Sequence, residues 1–168
     1  MRIVIIGNSG SGKTWLGSRL AERLSAPLIA LDEIFWQPVG FDQKRPEAER
    51  DAMIETHLQA ERWVAEGVFG SLANRFLDRA DVLIWLDTPW AICRERLEQR
   101  GSESKRHMDR PQSEEGTRQL IAWAEKYSER KGECSSAYHQ RMCEQFPRQA
   151  VRLKAPHSVE GFLRGFSA

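Results

Sequence analysis

No apolar run in this chain approaches the roughly 20 residues that cross a bilayer, so a membrane span is not expected. Cysteine is sparse: Cys93, Cys134 and Cys143 are odd in number and form no C-x-x-C pair. That pattern argues against a disulfide framework or a zinc site and fits a reducing compartment. An excess of one charge is also missing. Lys plus Arg is 25 and Asp plus Glu is 24, a net charge of +1. Chains that coat nucleic acid usually carry a basic excess, so nucleic acid is not the expected partner, although a local basic patch stays compatible with this balance. Met1 to Gly7 is too short for a signal-peptide core and runs directly into a glycine-rich stretch. The expectation is a soluble, cytoplasmic protein.

The 168 residues fit one domain, expected to span 1–168. A chain of this length buries about 70% of the surface its unfolded form exposes, so it needs no crosslinks. Arg2–Ile6 is a β-branched run without polar alternation, which predicts a strand buried on both faces. Leu16, Leu20 and Leu24 then recur at helical spacing. Leu28–Leu31 reads as a second strand ending at Asp32, and residues 37–46, with two prolines and a glycine, as a loop. A helix is expected over Glu47–Arg62, then a strand at Trp63–Ala65 closed by Glu66-Gly67. A fourth strand is expected at Val82–Leu86, ending at Asp87. Pro89 suits the start of a helix running to about Arg100. Residues 101–116 are polar, hold Gly101, Pro111 and Gly116, and read as a mobile lid. Leu120, Trp123, Ala124 and Tyr127 fit one helical face, and Cys134, Tyr138, Met142 and Phe146 another. Ala150–Leu153 reads as a fifth strand. Ser158 is the expected cap of a last helix with Val159, Phe162, Leu163 and Phe166 on its apolar face. Strands alternating with helices predict an α/β fold with a parallel sheet.

Gly7-Asn8-Ser9-Gly10-Ser11-Gly12-Lys13-Thr14 matches G-x-x-x-x-G-K-S/T in full. Phosphates need a ring of backbone N–H donors, and glycines let the chain wrap that tightly. Lys13 is placed to reach the β- and γ-phosphates and the Thr14 hydroxyl to ligate Mg²⁺. The helix that follows points its positive end at the phosphates. A strand before and a helix after the motif are the context it requires.

The only asparagines are Asn8 and Asn74, and Asn74 is followed by Arg75, so the Asn-Lys-x-Asp element that reads guanine is missing. Asp87 is followed by Thr88 and Pro89, not by a glutamate that would activate water. Phosphoryl transfer to a second substrate remains. Arg96 and Arg100 are four apart on one helical face, and Arg106, Arg110 and Arg118 surround the expected lid. These arginines are candidates to close over the transferring group. Glu95, Glu98, Glu103 and Asp109 are interleaved, so a solvated, ion-paired helix is the competing reading.

These residues resemble the small nucleoside-monophosphate-kinase-like P-loop proteins, and most closely the adenylate-kinase-related group often named topology modulation protein (FlaR-like). The resemblance is carried by Gly7 to Thr14, Leu31-Asp32-Glu33-Ile34-Phe35-Trp36-Gln37-Pro38, Trp63-Val64-Ala65-Glu66-Gly67, Ile84-Trp85-Leu86-Asp87, the Arg96/Arg100 pair, and Glu114-Glu115 with Arg118. It implies a P-loop NTPase α/β/α fold with a five-stranded parallel sheet of order 2-3-1-4-5 and a short lid. It also implies ATP as donor, Arg96 near adenine, Arg100 near phosphate, and Glu66 holding Mg²⁺ through water; Asp87, at the end of the fourth strand, is a further candidate metal support. The Thr-Gly-Asp-Met-Leu-Arg-like stretch that grips AMP in adenylate kinases is absent, so AMP is not the expected acceptor.

On the acceptor side, roughly residues 32–62, Asp32 follows strand two at the carboxyl edge where ligands bind, and is a candidate to orient or deprotonate an acceptor hydroxyl. A cap of the next turn is its alternative role. Trp36 and Phe41 are candidate pocket walls, set against ordinary packing. Arg75 is a candidate for an anionic acceptor, or an ion pair with Asp78 or Asp81; Arg45 and Arg50 are weaker candidates. The four histidines show no ligand spacing. The expectation is a Mg²⁺-ATP-dependent kinase for a small nucleotide-like or hydroxylated acceptor, acting as monomer or homodimer. The second reading is a nucleotide-dependent regulator linked to DNA topology with little catalysis.

Overall fold

The computed structural model describes residues 1–38, 43–100 and 114–166. The expected lid arginines Arg106 and Arg110, and Phe41, lie outside the described residues. Five strands, β1 (Arg2–Gly7), β2 (Leu28–Ala30), β3 (Trp63–Gly67), β4 (Val82–Leu86) and β5 (Gln149–Leu153), form one parallel sheet of order β2-β3-β1-β4-β5. The helices are α1 (Lys13–Leu24), α2 (Leu31–Phe35), α3 (Glu47–Leu58), α4 (Gly70–Leu77), α5 (Trp90–Arg100), α6 (Glu114–Glu125), α7 (Ser136–Gln145) and α8 (Pro156–Gly165). This is the three-layer α/β/α P-loop fold.

Strand alternation divides the core in two. Ile3, Ile5, Val64, Val82, Ile84 and Leu86 face one layer, where Leu16, Leu20 and Leu24 of α1 meet Val159 and Leu163 of α8. Val4, Ile6, Trp63, Ala65, Leu83 and Trp85 face the other, against α2, α3, α4 and the α7 residue Met142. Every residue of β3 and β4 is buried, which explains why these strands read as continuous apolar runs. The C-terminal ends of the strands therefore open on one edge, and the loop after β1 is central to it.

Three local expectations are corrected. The second strand stops at Ala30, and Leu31 already opens α2. Leu31 is wholly buried and packs where Gly67 has no side chain; a Cβ there would lie 2.7 Å from the Leu31 Cβ. Helix α3 ends at Leu58, not Arg62, because Gln59 and Ala60 turn back onto the Thr56 and His57 carbonyls before β3. Ala155, not Ser158, is the N-cap of α8, and Pro156 supplies its first turn.

One polar chain crosses the core. The Trp85 Nε1–H donates to the Tyr127 hydroxyl oxygen at 3.0 Å, and that hydroxyl meets His139 Nδ1 at 2.6 Å. His139 Nε2 lies 3.1 Å from the Val68 carbonyl. A carbonyl only accepts, so Nε2 carries the proton and Nδ1 accepts from Tyr127. This ties β4, the turn after α6, α7 and the segment after β3 together. Burial, the dominant cause, lowers the His139 pKa from 6.5 to about 3, with the Val68 hydrogen bond opposing and the Lys13 and Arg130 charges adding. Below about pH 6.5 the unfolded chain therefore binds a proton that the native state refuses. Stability should be full above that pH and fall by about 2 kcal/mol between pH 7 and pH 5 on this account. Urea unfolding at the two pH values should show the extra loss in the wild type and not in His139→Gln. Equal losses in both would contradict it.

Candidate functional site

The loop from Gly7 to Gly12 leaves β1 and folds back into α1. Gly10 has φ +78° and Gly12 φ +98°, in the left-handed region that suits glycine. Gly10 also lies against α5: a Cβ there would sit 2.5 Å from the Cys93 carbonyl oxygen. The loop is braced on several sides. Arg96 Nη1 donates to the Ser11 carbonyl at 3.0 Å, and the Thr88 hydroxyl donates to the same oxygen at 3.2 Å. Asn8 is 3% exposed; its Nδ2 donates to the Ala124 carbonyl of α6 at 2.9 Å and its Oδ1 accepts from the Ser9 amide.

Lys13 Nζ donates to the Asn8 carbonyl at 2.8 Å, so its ammonium lies across the loop. Burial lowers its pKa, opposed chiefly by the nearby Glu66 charge; Arg100 is close enough to lower it further. The Thr14 hydroxyl donates to Glu66 Oε1 at 2.8 Å, and Glu66 is 4% exposed. Thr14 and Glu66 thus pair two hard oxygen ligands beside the lysine, a donor set suited to Mg²⁺. Among the described residues no group of three or more His, Cys, Asp or Glu gathers to hold a metal by itself. A cation here would share its coordination with a ligand's oxygens.

Ser11, Gly12, Trp15, Thr88, Arg96, Pro156, Val159 and Glu160 enclose a cavity of about 360 Å³ beside the loop. Trp15 is 44% exposed and carries the Arg19 guanidinium 3.9 Å from its ring centroid. Sequence reasoning missed Trp15, Thr88, Pro156 and Glu160. An exposed tryptophan directly after the Lys-Thr pair was the available signal.

The remaining candidates divide. Asp32 is half-buried on α2, two residues past Ala30, which is in register with Glu66. Trp36 meets Phe35 edge-on at 4.7 Å between ring centroids. Arg100 ends α5 and is exposed. Asp87 accepts from Arg152 at 2.6 Å. Arg75 does not pair with Asp78 or Asp81 in the ion pairs seen; it binds Asp51 at 2.6 Å and Glu55 at 3.6 Å, both on α3. Arg118 is paired with Glu115 along the exposed face of α6 at 2.7 Å. Burial raises the three thiols to about 11, so they are protonated near neutrality.

The sequence profile of the AAA domain family matches residues 3–120, well over half of the chain and the whole of this loop. The chain belongs to that family. No curated protein sequence matches this family member. Among solved structures it is similar to a gluconokinase from Sinorhizobium meliloti 1021, at 16% identity over 97% of this chain and 87% of that one, with a TM-score of 0.56. It is also similar to shikimate kinase from Bacteroides thetaiotaomicron, at 18% identity over 98% and 94%, TM-score 0.54. A third is deoxyadenosine kinase from M. mycoides, at 16% identity over 98% and 97%, TM-score 0.50. At these identities the likeness establishes the shared fold.

Gly10→Ala should place a methyl group against the Cys93 carbonyl in a left-handed backbone. The expected cost is about 1–3 kcal/mol of stability, with nucleotide affinity reduced. Thermal unfolding and calorimetry measure both. A variant as stable as wild type, with unchanged affinity, would contradict the packing described.

Proposed function

We propose that this protein is a Mg²⁺-ATP-dependent phosphotransferase acting on a small acceptor that bears a hydroxyl. One observation carries the reading: Lys13 and the Thr14–Glu66 pair lie together at the mouth of a glycine cradle, beside a cavity large enough for a nucleobase. The solved structures of similar fold, titled gluconokinase, shikimate kinase and deoxyadenosine kinase, support a kinase over a pure hydrolase. ATP is the proposed donor on the resemblance to adenylate-kinase-related proteins, and the topology modulation group is the proposed subgroup on Leu31–Pro38.

In this reading the loop amides and Lys13 bind the β- and γ-phosphates, and Thr14 and Glu66 hold Mg²⁺, which offsets phosphate charge when bound. Trp15 and Arg96 face the base. Arg96 and Arg100 bring positive charge to the phosphates. The acceptor oxygen attacks the γ-phosphorus as the bond to the β,γ-bridging oxygen breaks, and ADP leaves with that electron pair. Asp32 orients the hydroxyl and takes its proton. The expected lid, residues 101–116, lies outside the described residues except for Glu114–Gly116, which open α6; we expect the protein to work in the cytoplasm without a nucleic-acid partner.

The test is transfer from γ-labelled ATP to a panel of nucleosides, nucleoside monophosphates and hydroxylated metabolites, run beside Lys13→Ala. A phosphorylated product is expected with wild type. Lys13→Ala should lose at least about 100-fold in rate while unfolding at a similar temperature. Wild-type turnover in that variant would contradict the reading.

A further inference from the structure

We propose that Glu160 selects the base of the nucleotide, its carboxylate accepting a hydrogen bond from the exocyclic amino group of adenine. This rests on the reading above that a nucleotide fills the loop, and it names the residue that sets the donor's identity. The cavity beside the loop has few side chains able to hydrogen-bond, and most of them serve the loop itself. The Thr88 hydroxyl donates to the Ser11 carbonyl at 3.2 Å. Arg96 Nη1 donates to the same oxygen at 3.0 Å and lies 3.4 Å from the Gly10 carbonyl. Ser11 Oγ is buried and turned back on the loop, where a Cβ on Gly7 would lie 2.9 Å from it. Trp15 offers only an indole N–H, a donor. Among the described residues lining this cavity, Glu160 is thus the side-chain acceptor that the loop does not use.

Its position follows from α8. Pro156 and Glu160 are four residues apart and share one face of that helix, with Val159 beside them in the cavity wall. The cavity therefore runs from the loop residues Ser11 and Gly12 to the start of α8. With phosphates in the loop, the base lies toward Pro156, Val159 and Glu160. Glu160 has one ion-pair partner, Arg164, at 3.9 Å, and both side chains stand in solvent. A pair so long and so exposed contributes little. A carboxylate has about four acceptor positions, so Glu160 can take a further donor.

The choice among purines then follows from the chemistry of one ring position. Adenine carries an amino group at position 6, which donates. Guanine and hypoxanthine carry a carbonyl oxygen there, which accepts. A carboxylate oxygen attracts the first and repels the second. A site arranged to pair with a donor discriminates against an analogue that lacks it. The apolar walls at Trp15, Pro156 and Val159 accept any purine ring, so they leave this discrimination to Glu160.

Calorimetry with ADP, IDP and GDP, each with Mg²⁺, tests this without requiring turnover. Wild type should bind ADP about 10-fold more tightly than IDP or GDP. In Glu160→Gln the amide can donate to a carbonyl oxygen as well as accept from an amine. The gap should there close to about twofold, chiefly through tighter IDP binding. In Glu160→Ala it should close through weaker ADP binding. The three nucleotides share their phosphates, so retained IDP affinity shows that each variant is folded. Equal binding of ADP and IDP by wild type, tighter binding of GDP than of ADP, or an unchanged gap in Glu160→Gln would each overturn the proposal and leave phosphate binding by the loop standing. Failure of all three to bind would overturn the nucleotide reading, and base selection with it. ADP selectivity lost in Glu160→Gln, with no acceptor phosphorylated in the transfer panel, would uphold the role of Glu160 and overturn the phosphotransferase reading.

Discussion

An ammonium group laid against a backbone carbonyl is the contact on which the carboxyl edge of this sheet depends. Lys13 must sit inside the turn to reach the Asn8 carbonyl, and the turn must be tight enough to receive it. The left-handed glycines make that curvature possible. The surrounding elements then converge on the loop from different directions: Arg96 from α5, Thr88 from the end of β4, and Ala124 of α6 through the Asn8 amide. A phosphate group offers the lysine a stronger, charged partner than a carbonyl does. The loop is therefore already shaped for an anion, and binding has less ordering to supply.

The same preorganisation extends outward. Glu66 is buried where an unpaired carboxylate would be costly, and the Thr14 hydroxyl satisfies one of its oxygens. Asn8 connects the loop to α6, which the Tyr127–His139 contact then joins to α7 and the segment after β3. Helices α6 and α7 are thus linked to the loop by polar contacts. The apolar layers beneath provide the stiffness, with Trp63 and Trp85 wholly or almost wholly buried on the same face of the sheet.

Much of this was legible in the residues. The β-branched and apolar runs located all five strands, the inner ones because a sheet covered on both faces needs such runs. The glycine-Lys-Thr motif located the loop, because its spacing has one demanding use. Helix α4 escaped notice, although Leu72, Ala73 and Phe76 lie on its buried side; a short helix directly after a strand shows little period. The start of α2 was hidden for a different reason. Leu31 reads as strand by its neighbours, and only the missing side chain of Gly67, 36 positions later in the chain, admits it as the opening of a helix. Which arginines are occupied was likewise beyond reach of spacing. Arg75 lies near Asp78 and Asp81 in sequence, yet the fold brings Asp51 and Glu55 to it. Long-range pairing decides that, and no local pattern records it.

In the proposed function the Gly7–Thr14 loop cradles a nucleotide's β- and γ-phosphates, with Thr14 and Glu66 as the residues that would hold magnesium. Calorimetric titration of ATP, ADP and AMP, each with and without Mg²⁺, tests this most directly. ATP and ADP should bind far more tightly than AMP, and Mg²⁺ should strengthen ATP binding. Equal affinity for all three, or ATP binding indifferent to Mg²⁺, would contradict it.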